Sequence, residues 1–321
     1  MQTSNKPQFD FVRWRWHALV LSTLIVIAGL YIVGTRGLKK GVDFEGGTVV
    51  ILAFDQAPDY DRIRAALAGD TVVQRYGPEQ NHHVMIRVKR TGHETGLDLA
   101  QEAKAIVQTL KTANVGAFNE TPVGTKIVGP VVGEQLRRQG LMATVLAMAG
   151  ILAYIALRFQ FSFAVGAIVA TLHDLLVTMA FLTFFNYDLT LNVIAGLLTI
   201  TGYSVNDTIV IFDRVRENMR SMRRDDLKSI INTAVNQTLS RTIITAGTTL
   251  LSVVALYLFG GEVLKGFAFT MLVGIISGTY STVFIAASLA IVFQGKRPMK
   301  GQSAPPTAAA PATRPSRRRA S

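Results

Sequence analysis

Long apolar runs alternate with polar stretches along this chain. Six of the apolar runs are long enough, at about 1.5 Å of helix per residue, to cross a hydrocarbon core of roughly 30 Å. They predict transmembrane helices TM1 to TM6 at 17–35, 140–157, 163–185, 189–212, 241–259 and 266–293. The pattern is typical of an α-helical polytopic membrane protein.

Between TM1 and TM2 the pattern changes to that of a small α+β domain. Short β-branched runs and amphipathic runs alternate there, separated by Gly and Pro. We expect, in chain order, a strand at 48–54, a helix at 58–69, strands at 71–77 and 82–90, a helix at 97–113 and a strand at 115–124. This order predicts a ferredoxin-like module. Residues 36–139 are therefore interpreted as an extramembrane domain with a lead-in helix to TM2.

The composition is typical of a membrane protein and excludes several classes of function. Hydrophobic residues make up 49% of the 321 positions and the mean hydropathy is +0.32, which excludes one ordinary soluble domain. The absence of cysteine excludes disulfides, thiol catalysis and Cys-ligated metals. No GxxxxGK[ST] motif is present. We therefore predict no nucleotide site, no cofactor and no enzymatic activity.

Three histidines of the predicted domain, His82, His83 and His93, are the remaining metal candidates. Their spacing fits no closed ligand set and no carboxylates converge on them, so no metal site is predicted. An edge strand of the same domain is instead a candidate for binding an extended peptide by strand addition.

The net charge of +12 arises mostly from topology and from one tail. Residues 295–321 contain seven Lys and Arg and no acid, and their Pro, Ala and Ser content predicts a disordered segment at 294–321. We therefore predict a mostly solvated tail, membrane lipids as partners of its charges, and no nucleic-acid partner.

The distribution of Lys and Arg predicts the orientation of the chain. With the N-terminus in the cytoplasm, the segments 1–16, 213–240 and 294–321 and the adjoining helix ends hold eighteen of them, whereas the short outer loops hold only Lys265. Both termini are therefore predicted to be cytoplasmic, and the α+β domain to face the outer side of the membrane. No A-x-A-like site follows TM1, so we expect it to be an uncleaved span.

TM4 carries an acid within its apolar run. Asp207 follows Asn206 there, and an ionised carboxylate costs roughly 2.5 to 3.5 kcal/mol at the centre of a membrane helix. The helical stripe that contains Asp207 also holds Tyr203, Ser204 and Arg214. Because acids inside a membrane usually act on an ion or a proton, Asp207 is the first functional candidate. A static salt bridge between helices is the alternative.

Three other spans carry features that point to a shared interior. His173 and Asp174 lie near the middle of TM3, and Arg241 lies at the inner end of TM5. TM6 contains GIISG (274–278), a spacing of small residues that permits close helix contact. The face of Arg241 continues through three hydroxyl-bearing residues, Thr245, Thr248 and Ser252. We expect these charged and hydroxyl-bearing stripes to meet in one polar interior.

These groups define a hypothesis for proton movement. Burial favours a protonated carboxyl group, whereas a nearby guanidinium favours an ionised one. A conformational change that moves Arg241 relative to Asp207 would let the acid bind and release a proton on alternate sides of the membrane. Five residues are candidates for a relay or a polar network beside this pair: His173, Asp174, Asn206, Ser204 and Tyr203. A core histidine bonded to a neighbour is the alternative for His173.

Six motifs, taken in order, resemble those of one family. They are GVDFEGGT (41–48), GPVVGEQLRRQG (129–140), HD (173–174), GYSVNDTIVIFDRVREN (202–218), NQTLSRTIITAGTTLL (236–251) and FGGEVLKGFAFTMLVGIISGTYST (259–282). Together they resemble the SecF family, the smaller half of bacterial SecD and SecF export complexes and a relative of the RND transporters. The likeness covers nearly all of residues 17–293, with Ala246 and Thr282 where serine is usual.

The resemblance implies an RND-like fold and pseudosymmetric pairing with SecD in the bacterial inner membrane. It implies assistance to the SecYEG translocon, with YajC and YidC as further partners and unfolded preproteins as clients, powered by the proton-motive force. It also implies that Asp207 and Arg241 take part in proton transport. Two alternatives stay open: an RND-like exporter of lipids or small molecules, and a non-conducting scaffold of the translocon.

Overall fold

The computed structural model describes residues 9–67, 71–76, 79–88 and 96–294, so His93 and the basic tail lie outside the described residues. The strands are β1 (Gly47–Ala53), β2 (Thr71–Arg75), β3 (His83–Val88) and β4 (Gly124–Val128). The α-helices are α1 (Arg15–Arg36), α2 (Val42–Glu45), α3 (Tyr60–Ala66), α4 (Gly96–Thr112), α5 (Pro130–Arg158), α6 (Phe161–Phe184), α7 (Leu191–Ser221), α8 (Leu227–Phe259), α9 (Gly261–Ser281) and α10 (Ala287–Gln294). A π-helix, Thr282–Ala286, joins α9 to α10.

Within the described residues, six helical segments are long and apolar enough to cross a membrane, which confirms the predicted number of spans. They are α1 with its preceding turn, α5, α6, α7, α8, and the continuous run of α9, the π-helix and α10. In their most apolar windows, 56% of α6 and 67% of the α9–α10 run are buried, but only 6% of α5. The bundle is therefore centred on α6, α7 and the α9–α10 run, with α1, α5 and α8 at its edge.

Glycines allow the central helices to approach closely. A Cβ on Gly274 of α9 would overlap the side chain of Ile200 on α7. A Cβ on Gly166 of α6 would lie 2.7 Å from the carbonyl oxygen of Ala286 in the π-helix. The GIISG pattern of the sequence thus marks a true contact between helices.

The helices α7 and α8 extend beyond the apolar runs that predict them. The segment 213–240, predicted as a loop, is helical except for residues 222–226. The extensions are stabilised by their own apolar side chains, because Val215, Ile230 and Ile231 are buried in one cluster with Phe212. This packing continues the bundle past the end of the membrane-length segment.

The domain between α1 and α5 has the predicted β-α-β-β-α-β order of elements. Its four strands form one antiparallel sheet in the order β2-β3-β1-β4, so β2 and β4 are the edges. The core combines Val50 and Leu52 of β1 with Ile63 of α3 and Leu110 of α4, all of which are fully buried. One face of the sheet is thereby covered by the two helices.

The closing strand is not where the sequence pattern places it. Strand β4 begins at Gly124, whereas residues 115–123 make a loop whose bridge to the sheet joins Phe54 and Phe118. Asn114 and Gly116 have φ values of 50° and 123°. These left-handed conformations turn the chain, so that it joins the sheet several residues later in the sequence than predicted.

We expect Gly274→Ala to destabilise the bundle by about 1 to 3 kcal/mol, because the added methyl group overpacks the contact with Ile200. Thermal unfolding of the purified protein measures the change. Gly150→Ala on α5 is the control, since a Cβ there meets nothing within 4 Å. Equal unfolding temperatures for wild type and Gly274→Ala would contradict the close contact, and adding Ile200→Ala should restore part of the loss.

Candidate functional site

Helix α7 carries Asp207 into the centre of the bundle. The helix begins at a capped end, where the hydroxyl group of Thr190 accepts a hydrogen bond from the backbone N–H of Val193 at 3.3 Å. Asp207 is only 5% exposed. Its Oδ2 atom is buried, and no described residue donates a hydrogen bond to it. A buried carboxylate oxygen without a donor is energetically unfavourable, so this atom is a natural proton acceptor.

Arg241 approaches Asp207 from the neighbouring helix α8. Its positive charge acts on Asp207, although no direct ion pair joins the two side chains in the described part of the chain. Arg241 is exposed and lines a cavity of about 680 Å³ at the end of the bundle away from the sheet. The pair therefore combines a buried acid with an exposed guanidinium group.

A second buried acid, Asp174 of α6, has a full set of donors. Ser204 of α7 and Ser281 of α9 donate their hydroxyl hydrogens to Oδ2, with oxygen distances of 2.6 and 2.7 Å. Ser277 of α9 donates to Oδ1 at 2.7 Å, and Nδ1 of His173 lies 3.1 Å from the same oxygen. Three helices thus converge on one carboxyl group.

The other side of His173 faces α1. Its Nε2 atom is buried and has no hydrogen-bond partner among the described residues. The centroid of its ring lies 6.4 Å from that of Tyr280, whose hydroxyl group donates to the carbonyl oxygen of Ala18 at 2.9 Å and accepts from Ser22 at 3.1 Å. Polar contacts therefore continue from the centre of the bundle to its first helix.

Ser204 connects the surroundings of the two acids. It lies one helical turn before Asp207 on α7 and hydrogen-bonds to Asp174 on α6. At the next position of the same face, the hydroxyl oxygens of Thr208 and Thr282 are 3.2 Å apart, where the π-helix begins. π-Helices often occur at functional sites. We call the following residues the polar layer: His173, Asp174, Ser204, Thr208, Ser277, Ser281 and Thr282.

Other residues singled out in the sequence lie outside the polar layer. Asn206 is exposed on the surface of α7, and Tyr203 is half-buried against an apolar cluster. Within this chain, the predicted stripe on α8 does not reach the polar layer. Thr248 and Ser252 are exposed and donate to backbone carbonyl groups one turn earlier, at 2.9 and 3.1 Å. The reason is that α8 lies at the edge of the bundle.

Two donors of the polar layer, Ser277 and Ser281, are absent from the sequence-based candidates. Their spacing of four residues, together with Gly274 and Gly278 on the same face of α9, is the signal that could have revealed them. Arg214 belongs to the solvated end of α7, where its guanidinium group pairs with Glu217 at 2.6 Å.

Comparison with known proteins decides the family. Residues 107–296 match the profile described as protein export membrane protein SecD/SecF, C-terminal, and residues 31–58 match the SecD/SecF GG motif. The chain belongs to the SecD/SecF family. Relatives named protein translocase subunit SecF are 40% identical over 291 residues in Desulfurispirillum indicum and 39% identical over 294 residues in Escherichia coli O157:H7. These alignments cover 88% and 90% of this chain, and 91% and 89% of the relatives.

The fold is similar to the crystal structure of SecDF, a translocon-associated membrane protein, from Thermus thermophilus. The TM-score is 0.80 at 29% identity, with 92% of this chain aligned and 40% of that longer chain covered. A structure of SecDF in a super-membrane-facing form gives a TM-score of 0.66. The likeness supports an RND-like, multi-pass inner-membrane protein of the SecF type.

In this SecF-type chain the GG motif forms a joint between the sheet and α7. The Oδ2 atom of Asp43 in α2 accepts a hydrogen bond from the backbone N–H of Leu191 at 3.1 Å, and Oδ1 lies 2.5 Å from Nζ of Lys126 in β4. Gly46 and Gly47 have φ values of 73° and 124°, which favour glycine. One buried carboxylate thus ties the first residue of α7 to an edge of the sheet.

A second set of contacts reinforces the joint. Arg87 of β3 forms a buried ion pair with Asp188 in the loop between α6 and α7, and it donates to the carbonyl oxygen of Lys40 at 3.2 Å. The backbone of Leu189 bonds to Lys39 and Gly41, at 2.7 Å each. Burial raises the pKa of Asp188 above its ordinary value, while the charge and hydrogen bond of Arg87 oppose the shift.

We expect Arg87→Asp and Asp188→Arg each to lower the free energy of unfolding by about 3 to 5 kcal/mol, because each leaves two like charges buried together. The double variant should regain a large part of the loss, as a double-mutant cycle by thermal unfolding would show. Swapping the exposed pair Asp61 and Arg64 should change stability by less than about 1 kcal/mol. Additive losses in the double variant would contradict the pairing.

The raised pKa of Asp188 also predicts a pH dependence. Its contribution to stability is fully present below the unfolded pKa, near 3.8, and is lost as the pH rises through the higher folded pKa. The stability of wild type relative to Asp188→Asn should therefore fall with rising pH in this range, as measured by thermal unfolding from acidic to neutral pH. A difference that rises with pH would show that the ion pair with Arg87 outweighs burial.

Proposed function

We propose that this chain works with SecD and the SecYEG translocon to draw preproteins outward with the proton-motive force, and that Asp207 carries the proton under the control of Arg241. One observation supports this above all. Asp207 is buried in a membrane-crossing helix, no described residue donates a hydrogen bond to its Oδ2 atom, and the charge of an arginine on the next helix acts on it.

The contrast with Asp174 explains why Asp207 is the proton carrier. Asp174 is held by three serine hydroxyl groups and His173, so a proton added to it would displace a donor. Oδ2 of Asp207 has no such donor to lose. Asp174 therefore fixes the geometry of the polar layer, while Asp207, which lies beside the layer on α7, changes its charge.

Protonation neutralises the carboxylate of Asp207 and so removes the electrostatic attraction between Asp207 and Arg241. The relative stability of two arrangements of α7 and α8 changes as a result. A charge that crosses 100 mV releases roughly 2.3 kcal/mol. That energy shifts a two-state equilibrium by about fifty-fold, since each 1.4 kcal/mol is a factor of ten. One proton per step is thus sufficient to bias the direction of a conformational cycle.

The joint can transmit a movement of α7 to the sheet. Asp43 holds the first residue of α7, and Arg87 holds the loop before it, so a displacement of α7 would move the sheet as well. The edges of that sheet are β2 and β4. An unfolded preprotein segment would add to one of them as an extra strand, a mode that depends mainly on backbone hydrogen bonds.

A polar surface at membrane depth supports pairing with SecD. Gly202 and Asn206 of α7 and Thr248 and Ser252 of α8 are exposed on segments that cross the membrane. Polar side chains in contact with hydrocarbon are unfavourable, and they promote helix association. A similar bundle on the partner would cover this surface, with YajC and YidC as further members of the assembly.

In the membrane, we place both termini in the cytoplasm and the sheet domain in the periplasm. The arginines Arg158, Arg214, Arg216, Arg220 and Arg241 lie at the end of the bundle away from the sheet. An excess of positive charge of this kind marks the cytoplasmic side.

The proposal is tested by measuring preprotein release from cells stripped of their outer envelope. Release is compared with the proton-motive force intact and with it collapsed. We expect Asp207→Asn and Arg241→Ala to reduce release to the level that wild type shows without the force. Asp225→Asn, an exposed acid in the turn between α7 and α8, is the control and should release normally. Each variant is compared at equal expression and equal co-purification with SecD. Force-dependent release by Asp207→Asn at the wild-type level would leave a non-conducting scaffold as the function.

A further inference from the structure

An open cavity of about 680 Å³ lies where α5, α7 and α8 meet, at the end of the bundle away from the sheet. Eleven residues line it: Arg158, Ile209, Val210, Asp213, Arg214, Arg216, Glu217, Arg220, Gln237, Thr238 and Arg241. Five of them are arginines and two are acids. The cavity therefore carries an excess of positive charge.

The acids leave much of the arginine charge uncompensated. Glu217 pairs closely with Arg214, but Asp213 lies 3.8 Å from Arg158 and 3.9 Å from Arg216, which are long contacts. Within the described part of the chain, no ion pair involves the side chain of Arg220 or Arg241. Guanidinium groups with free N–H donors match the oxygen atoms of phosphate groups in charge and geometry.

Aromatic packing holds two of these arginines in place. The guanidinium carbons of Arg158 and Arg216 lie 5.8 and 6.0 Å from the centroid of the Phe159 ring. Arginines that are already positioned lose less conformational entropy when they bind an anion.

The surroundings of the cavity fit a lipid. Ile209 and Val210 form an apolar part of its wall. On α5, Leu157 is 89% exposed and lies next to Arg158, and Tyr154, one helical turn earlier, is 52% exposed. A phosphate group in the cavity would therefore have an apolar helix surface beside it, along which acyl chains can lie. Basic pockets between membrane helices are known to bind anionic headgroups.

We propose that this arginine cavity binds a phosphate group, as the headgroup of an anionic phospholipid or as a free phosphate anion. The binding does not depend on the proposed function, but its effect on transport does. Because Arg241 belongs both to the cavity and to the surroundings of Asp207, a bound phosphate draws the arginine away from the acid. Anionic lipid would thereby alter the proton step.

Lipid retention by the full chain, purified with its partner subunit, tests the binding. The protein is exchanged into bilayers of phosphatidylcholine with or without cardiolipin, and bound cardiolipin is quantified by native mass spectrometry. We expect the triple variant Arg158→Gln, Arg216→Gln and Arg220→Gln to retain at least about tenfold less cardiolipin than wild type, which corresponds to 1.4 kcal/mol of binding. Its unfolding temperature is measured to verify folding.

The control removes three charges outside the cavity from the same end of the bundle: Arg13→Gln, Arg223→Gln and Arg224→Gln, all at exposed positions. It should retain cardiolipin like wild type. An equal loss in both triple variants, or no loss in either, would overturn the proposal.

Displacement of cardiolipin by inorganic phosphate would show that the anion alone suffices for binding, and retention of cardiolipin in the presence of phosphate would assign the site to the lipid. A variant that changes proton transport but retains cardiolipin like wild type would bear on the proposed function and not on lipid binding.

Discussion

A carboxyl group inside a membrane bundle needs hydrogen-bond donors, and Asp174 receives them from serines on two other helices, α7 and α9. The serine hydroxyl groups can reach it only because α9 comes close to α6 and α7. A Cβ on Gly278 would lie 3.3 Å from Cβ of Ser204 and 3.7 Å from Oδ2 of Asp174. Close packing and hydrogen bonding therefore depend on each other at the centre of this fold, and a larger residue in α9 would impair both.

The two buried acids differ in their hydrogen-bonding environment. Both are aspartates on adjacent central helices, and both are almost completely buried. Asp174 is surrounded by donors from within the subunit, whereas Asp207 faces the edge helix α8 and an arginine that water can reach. The number of available donors, rather than the residue type, therefore distinguishes the two acids, and this difference is the basis of the proton role proposed for Asp207.

The sequence predicts the parts of the structure that depend on local pattern. The six spans and the β-α-β-β-α-β order follow from apolar length and periodicity, and one charge in an apolar run singles out Asp207, which is buried. The donors Ser277 and Ser281 do not follow, because serine is tolerated throughout membrane helices and only the rotation of α9 directs these two inward. The pair of Arg87 and Asp188 joins residues 101 positions apart, which no local pattern can reveal. The orientation of α8 does not follow either, because a stripe of hydroxyl groups that bond to backbone carbonyls of their own helix is compatible with a buried face and with an exposed one.

The π-helix at Thr282–Ala286 has a consequence for the last span. One extra residue in a helical turn rotates everything after it by about 100° relative to a regular α-helix. The faces of α9 and α10 are thus set independently, so that Ser281 points at Asp174 while Ala287 and Ala290 remain buried against the rest of the bundle. The extra residue lets the first half of this span turn a hydrogen-bonding face toward Asp174 while its second half turns an apolar face toward the bundle. A regular α-helix, in which both halves keep the same register, could not present both faces inward.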